Sequence, residues 1–162
     1  MKKIFFLIIL ILLLAGCSLS GISKNQNNFG NPKPDNELAK LALNNFLSLL
    51  NSGQYDQALF YYGTSFAILE NYNSGIKPEF KAKLLESYCL KNGGQCLKPL
   101  IIGEQQIADN EYQFSVEFFK ANNLLYSTPG CPCKGGGKSQ FEFRVIKNRA
   151  GQYVVMDLPP KE

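Results

Sequence analysis

The spacing of apolar positions changes several times along the chain. Ile4 to Leu14 is an unbroken apolar run, and Ser18 to Asn36 holds few large apolar residues. From Glu37 to Leu50, Leu38, Leu41, Ala42, Phe46, Leu49 and Leu50 recur at a spacing that places them on one stripe of a helix. Asp35 or Asn36 is positioned to cap its start, and Gly53 stands just past its end. A short helix is predicted over 55–62 with Gly63 as its stop, and a further turn over 65–70. A longer helix begins at Pro78, a residue suited to a first helical position, and runs to about Cys89 with Phe80, Leu84, Leu85 and Tyr88 facing inward. Asn92-Gly93-Gly94 ends it.

Beyond Gly94 the period shortens to two, as in a strand with one buried face. Leu100 to Ile107 reads as a strand, Asp109-Asn110 as a turn, and Glu111 to Lys120 as a second strand with Tyr112, Phe114, Val116 and Phe118 on one face. An irregular Gly- and Pro-containing loop from Ala121 to Lys138 precedes a strand over 140–146, whose inner face is Phe141, Phe143 and Val145. A turn near Asn148 to Gly151 leads into a last strand over 153–158, closed by Pro159-Pro160. Helices first and a strand meander second predict an α+β domain, with N-terminal helices packed on a curved antiparallel sheet of about four strands.

The first residues carry an address. Lys2 and Lys3 precede the apolar run, which ends in Leu14-Ala15-Gly16-Cys17. Those four residues resemble the bacterial lipobox, where a peptidase cuts before a cysteine already bearing diacylglycerol. Eleven apolar residues are too few for a hydrocarbon core that takes ~20 residues of helix, so the run reads as a cleaved signal peptide, residues 1–16. Cys17 would then begin the mature chain. Each buried acyl methylene contributes ~0.8 kcal/mol, so several chains on one residue hold it firmly to a bilayer. Residues 17–36 have the composition of a flexible tether, and 37–162 form the folded domain. Ser18 stands where an aspartate would retain an enteric lipoprotein at the inner membrane, which favours the outer membrane if the cell has two.

Phe46-Leu47-Ser48-Leu49-Leu50-Asn51-Ser52-Gly53-Gln54-Tyr55-Asp56-Gln57-Ala58, followed by helices and a meander, resembles the opening of exported members of the nuclear-transport-factor-2-like, or cystatin-like, superfamily. The resemblance spans Glu37 to Leu158. It implies a sheet curled round a helix into a cone whose mouth often binds a small molecule. Some members are isomerases or dehydratases that use an Asp, Tyr or His dyad. No such dyad can be matched to residues here.

Composition narrows the chemistry. The chain has no histidine, which removes the commonest general base and metal ligand. Taking Lys2 and Lys3 from the 17 basic residues leaves 15 against 13 acidic, a balance that suggests no nucleic-acid partner. Four cysteines remain beyond Cys17: Cys89 and Cys96, then Cys131 and Cys133. In an exported chain an even number points to disulfides. The simplest pairing joins Cys89 to Cys96, clamping the helix-to-strand turn, and leaves Cys131 with Cys133; long-range pairings with the loop cysteines, a four-thiolate zinc site and a redox-active pair are the competing readings.

Tyr61, Tyr62, Tyr88, Tyr112 and Phe114 have the make-up of an apolar pocket lining with hydroxyl groups to orient a ligand, and equally of plain core. The leading expectation is a non-catalytic envelope module, held to the membrane through Cys17, that binds a small apolar ligand or an envelope protein. No cofactor is implied. The alternatives are a pocket enzyme of isomerase or hydrolase type using Asp, Glu or Tyr, and a thiol-redox or metal protein.

Overall fold

In the computed structural model the structure describes residues 33–129 and 136–162. The expectations that rest on Cys17, Cys131 and Cys133 lie outside these residues. The helix predicted from Glu37 is α1, Asp35–Asn51, and its start is set differently from the expected side-chain cap. Pro34 occupies the capping position without a side-chain hydrogen bond, and Asp35 and Glu37 place negative charge in the first turn, where the helix dipole favours it. The helix ends at Ser52, and Gly53 follows with φ +73°, a conformation that suits glycine.

The apolar stripe of α1 is turned from the one the spacing marks. Ala39, Ala42, Leu43, Phe46, Leu47 and Leu50 are buried, whereas Leu38 and Leu41 stay exposed and Leu49 is half-buried. The helix carries more apolar side chains than one stripe can hide. After α1 come α2, Tyr55–Ala58, a 3₁₀ turn, Leu59–Tyr61, α3, Ala67–Tyr72, and α4, Lys81–Leu90. Because α4 begins at Lys81, Phe80 sits at its N-cap and is exposed, contrary to the expected inward position; the Lys83 ammonium lies 5.0 Å from its ring centroid. Leu84, Leu85 and Tyr88 are buried as the periodicity predicts.

The sheet is a four-stranded antiparallel meander in the order β1-β2-β3-β4, with β1 at Lys98–Ala108, β2 at Glu111–Phe119, β3 at Gln140–Lys147 and β4 at Tyr153–Val155. Tyr112, Phe114, Val116 and Phe118 of β2 and Phe141, Phe143 and Val145 of β3 form its buried face. Helix α1 packs against all four strands. The result is an α+β domain whose core runs between that helix and that face. Lys33–Glu162 is one compact unit with its own core, the property of a chain segment that folds by itself.

Two details depart from a regular meander. In β1 the register against β2 shifts between Ile101 and Gly103 and again between Gln106 and Ala108. Ile102 and Ile107 are the extra residues, and both are exposed. At the other side β4 stops at Val155, earlier than expected, although the Met156 N–H still donates to the Arg144 carbonyl at 2.9 Å. The Asp157 carboxylate then accepts from the Arg144 N–H at 2.7 Å, so a side chain replaces the next rung of the ladder.

Candidate functional site

Each predicted site residue within the described stretches has a definite place. Cys89, in the last turn of α4, is joined by a disulfide to Cys96, seven residues on, with their Cα atoms 5.4 Å apart. The Asn51 side-chain amide donates to the Cys96 carbonyl at 3.0 Å, tying the end of α1 to the same turn. Of the five aromatic residues, Tyr62, Tyr88, Tyr112 and Phe114 belong to the packed core. Tyr62 lies stacked on Phe46, ring centroids 5.7 Å apart, and the Tyr88 hydroxyl donates to the Pro159 carbonyl. Burial is the main cause that pushes the phenols of Tyr62 and Tyr88 up to about 12. Tyr61 alone of the five borders open grooves.

Those grooves meet around a residue the sequence reading passed over. Phe60, in the 3₁₀ turn, is 76% exposed, the most exposed large apolar side chain among the described residues. Five apolar residues in a row, Ala58 to Tyr62, exceed what one turn can bury, and that run is the signal in the sequence. One groove, of about 480 Å³, lies between Phe60 and the second half of α1, bounded by Ser48, Leu49, Ser52 and Gln57. The other, of about 300 Å³, continues past Phe60 to Leu38, Leu41, Gln152 and Tyr153. Asn45, Phe60 and Tyr61 belong to both. At their junction the Asn45 amide donates to the Tyr61 hydroxyl at 3.0 Å, which fixes the Tyr61 ring as a wall.

The leucines left outside the buried stripe of α1 are therefore the floor of a groove. Volumes of this size are those of small-ligand clefts, and an apolar floor with a few placed polar groups is their usual lining. A larger hollow, of about 580 Å³, lies beside the start of α4 but is walled by Asp56, Glu79, Lys81, Lys83 and Glu86, whose charges stay hydrated. Among the described residues the buried polar ones are Asn73 and Ser87. They bond to each other and to Asn92, closing α3 onto α4. Among the same residues no group of three or more Cys, Asp or Glu is disposed to hold a metal ion, and no helix is long and apolar enough to cross a membrane.

Searches of curated proteins and of solved structures found no match to the chain. Residues 1–18 match the family model of the prokaryotic membrane lipoprotein lipid attachment site. The chain thus carries the signal of a lipid-anchored envelope lipoprotein, attached to a membrane through lipid on a cysteine.

Proposed function

We propose that this chain is a lipid-anchored envelope binding module, joined to the bilayer through Cys17 and using the Phe60 groove to receive a small ligand or a partner. The observation that carries the reading is the placement of a 76% exposed phenylalanine between two adjoining grooves, one floored by the exposed Leu38 and Leu41 and the other by the half-buried Leu49. Leaving such a ring in water forgoes ~1.5–3 kcal/mol of burial, which an occupant of the groove recovers. In this reading the signal peptide is cut before Cys17, and Ser18 favours the outer membrane of a two-membrane cell. The domain is a cone of the nuclear-transport-factor-2-like type; what supports this is α1 lying across all four strands of a meander.

Two substitutions test the reading. Cys17→Ser abolishes incorporation of labelled palmitate and releases the protein from the membrane fraction; retention of label would refute the anchor. A photoactivatable phenylalanine in place of Phe60, irradiated in intact cells, gives a covalent adduct that the same group at Gln113, on the opposite face of the sheet, does not. Equal labelling from both positions, or none from position 60, would refute the groove.

A further inference from the structure

Resting on that reading of the Phe60 groove, we infer that its ligand is a small uncharged amphiphile, with an aliphatic part and a hydroxyl- or amide-bearing head. The two halves of the groove differ in chemistry along α1. Toward the start of the helix the walls are Leu38, Leu41, Ala42 and Tyr153, with Gln152 as the polar side chain besides Asn45. Toward its end Ser48, Ser52, Gln54 and Gln57 stand around Leu49, so this half is the richer in hydroxyls and amides. The division falls at Asn45, with Phe60 spanning both halves.

Charge is missing from both halves. No Asp, Glu, Lys or Arg lines either, whereas the neighbouring hollows hold Asp56, Glu79 and Lys81 at the start of α4, and Glu37, Lys40 and Glu104 between α1 and β1. An ionic head would lose hydration here and gain no counter-charge. A wholly apolar ligand would cover the Ser48 and Gln57 side chains and take water from their hydrogen-bonding groups. An uncharged head with hydroxyls or amides avoids both costs, because side-chain amides and hydroxyls donate and accept alike. The Gln54 amide already donates to the Ser52 hydroxyl at 2.9 Å, and that hydroxyl to the Ser48 carbonyl at 2.9 Å, so the polar half is a chain of oriented dipoles. The aliphatic part lies against Leu38 and Leu41 and beneath the Phe60 ring.

The test is NMR titration of the chain from Ser18 onward, exported to an oxidising compartment, with octyl glucoside kept below its micelle concentration. Glucose, octanoate and octyltrimethylammonium are the comparison probes. Saturable amide shifts are expected along 38–61 and 151–153 with octyl glucoside, and at least tenfold weaker binding of the other three. Phe60→Ala lowers octyl glucoside affinity at least tenfold. Gln57→Lys lowers it as well and raises octanoate affinity. Both positions are exposed, so the variants fold. If octanoate or octyltrimethylammonium shifts the groove as strongly, the assigned ligand class is wrong while the groove remains a binding site. If no probe shifts the groove, or shifts appear only near Leu100 and Ile102, the inference fails, and the crosslink from position 60 decides the wider reading separately.

Discussion

The hydroxyl of Tyr88 donates to the carbonyl oxygen of Pro159, 71 residues further along the chain. Around it the last residues lie along the disulfide turn: the Gln95 N–H donates to the Pro160 carbonyl at 2.8 Å, and the Glu162 N–H to the Gly93 carbonyl at 3.1 Å. Lys161 completes the clasp with its ammonium 3.7 Å from the Tyr72 ring centroid. Tyr88→Phe keeps the ring and leaves a buried carbonyl unpaired, at a cost of ~1–3 kcal/mol. Urea unfolding is expected to show that loss with an unchanged slope, and hydrogen exchange at Glu162 is expected to quicken. Unaltered protection of Glu162 would mean that the tail is held without Tyr88.

The Cys89–Cys96 bridge closes a small ring in the unfolded chain. Chain-entropy reasoning for a loop of that size gives ~2.5 kcal/mol. Cys89→Ser paired with Cys96→Ser is therefore expected to lower the unfolding free energy by about that amount and to raise exchange at Gln95 and Glu162 together. Loss of stability without loss of tail protection would separate the bridge from the clasp.

Two glycines are required by space. A Cβ on Gly94 would collide with the Tyr88 ring, and one on Gly63 with the Val154 side chain. Gly94→Ala and Gly63→Ala are each expected to destabilise by ~1–3 kcal/mol. Gly75→Ala, where a Cβ meets nothing within 4 Å, is expected to be neutral or slightly stabilising. Thermal melts of the three variants decide it, and a stable Gly94→Ala protein would contradict the packing of Tyr88 on this turn.

Alkali provides a further check. In the folded chain burial holds the phenols of Tyr62 and Tyr88 protonated up to about 12, and the Asp157 carboxylate adds to the effect on Tyr62. Unfolded tyrosines ionise near 10, so between about pH 10 and 12 the unfolded chain has lost protons that the folded one retains. Stability from these two groups is complete below pH 10 and falls as pH rises toward 12. Phenolate absorbance at 295 nm should therefore include a late fraction that appears together with loss of circular dichroism. A fully ionised but folded protein at pH 11 would contradict the burial.

Most of the element order was legible because each period is enforced by one buried face: 3.6 for α1, two for β2 and β3. Legibility failed where one residue interrupts a period. Ile102 and Ile107 are inserted into β1 by register shifts that depend on β2, and nothing local marks them. Tyr126 lies in the segment read as an irregular loop, yet it is buried, because its N–H donates to the Phe118 carbonyl and its ring stacks on Phe141. Of the aromatic residues Tyr61, Tyr62, Tyr88, Tyr112 and Phe114, the last four are buried and Tyr61 borders the groove, whereas Phe60 is not among them. The spacing puts Leu38 and Leu41 on the buried stripe of α1, but the helix buries a face that includes Ala39, Leu43 and Leu47 instead, and the two leucines are left with Phe60 to line the groove.

The interrupted strand has a meaning at the bilayer. Anchored chains share a plane, and confinement to two dimensions raises the frequency with which their sheet edges meet. An open edge invites pairing when it offers a long regular ladder of peptide groups. In β1 the regular stretches are 98–101, which includes Pro99, and 103–106, each too short to template a neighbour. The opposite edge is already met by Tyr62 beside Val155. The exposed isoleucines that look like a packing defect in one molecule thus mark the points where the β1 edge stops being a regular ladder for a neighbour to extend.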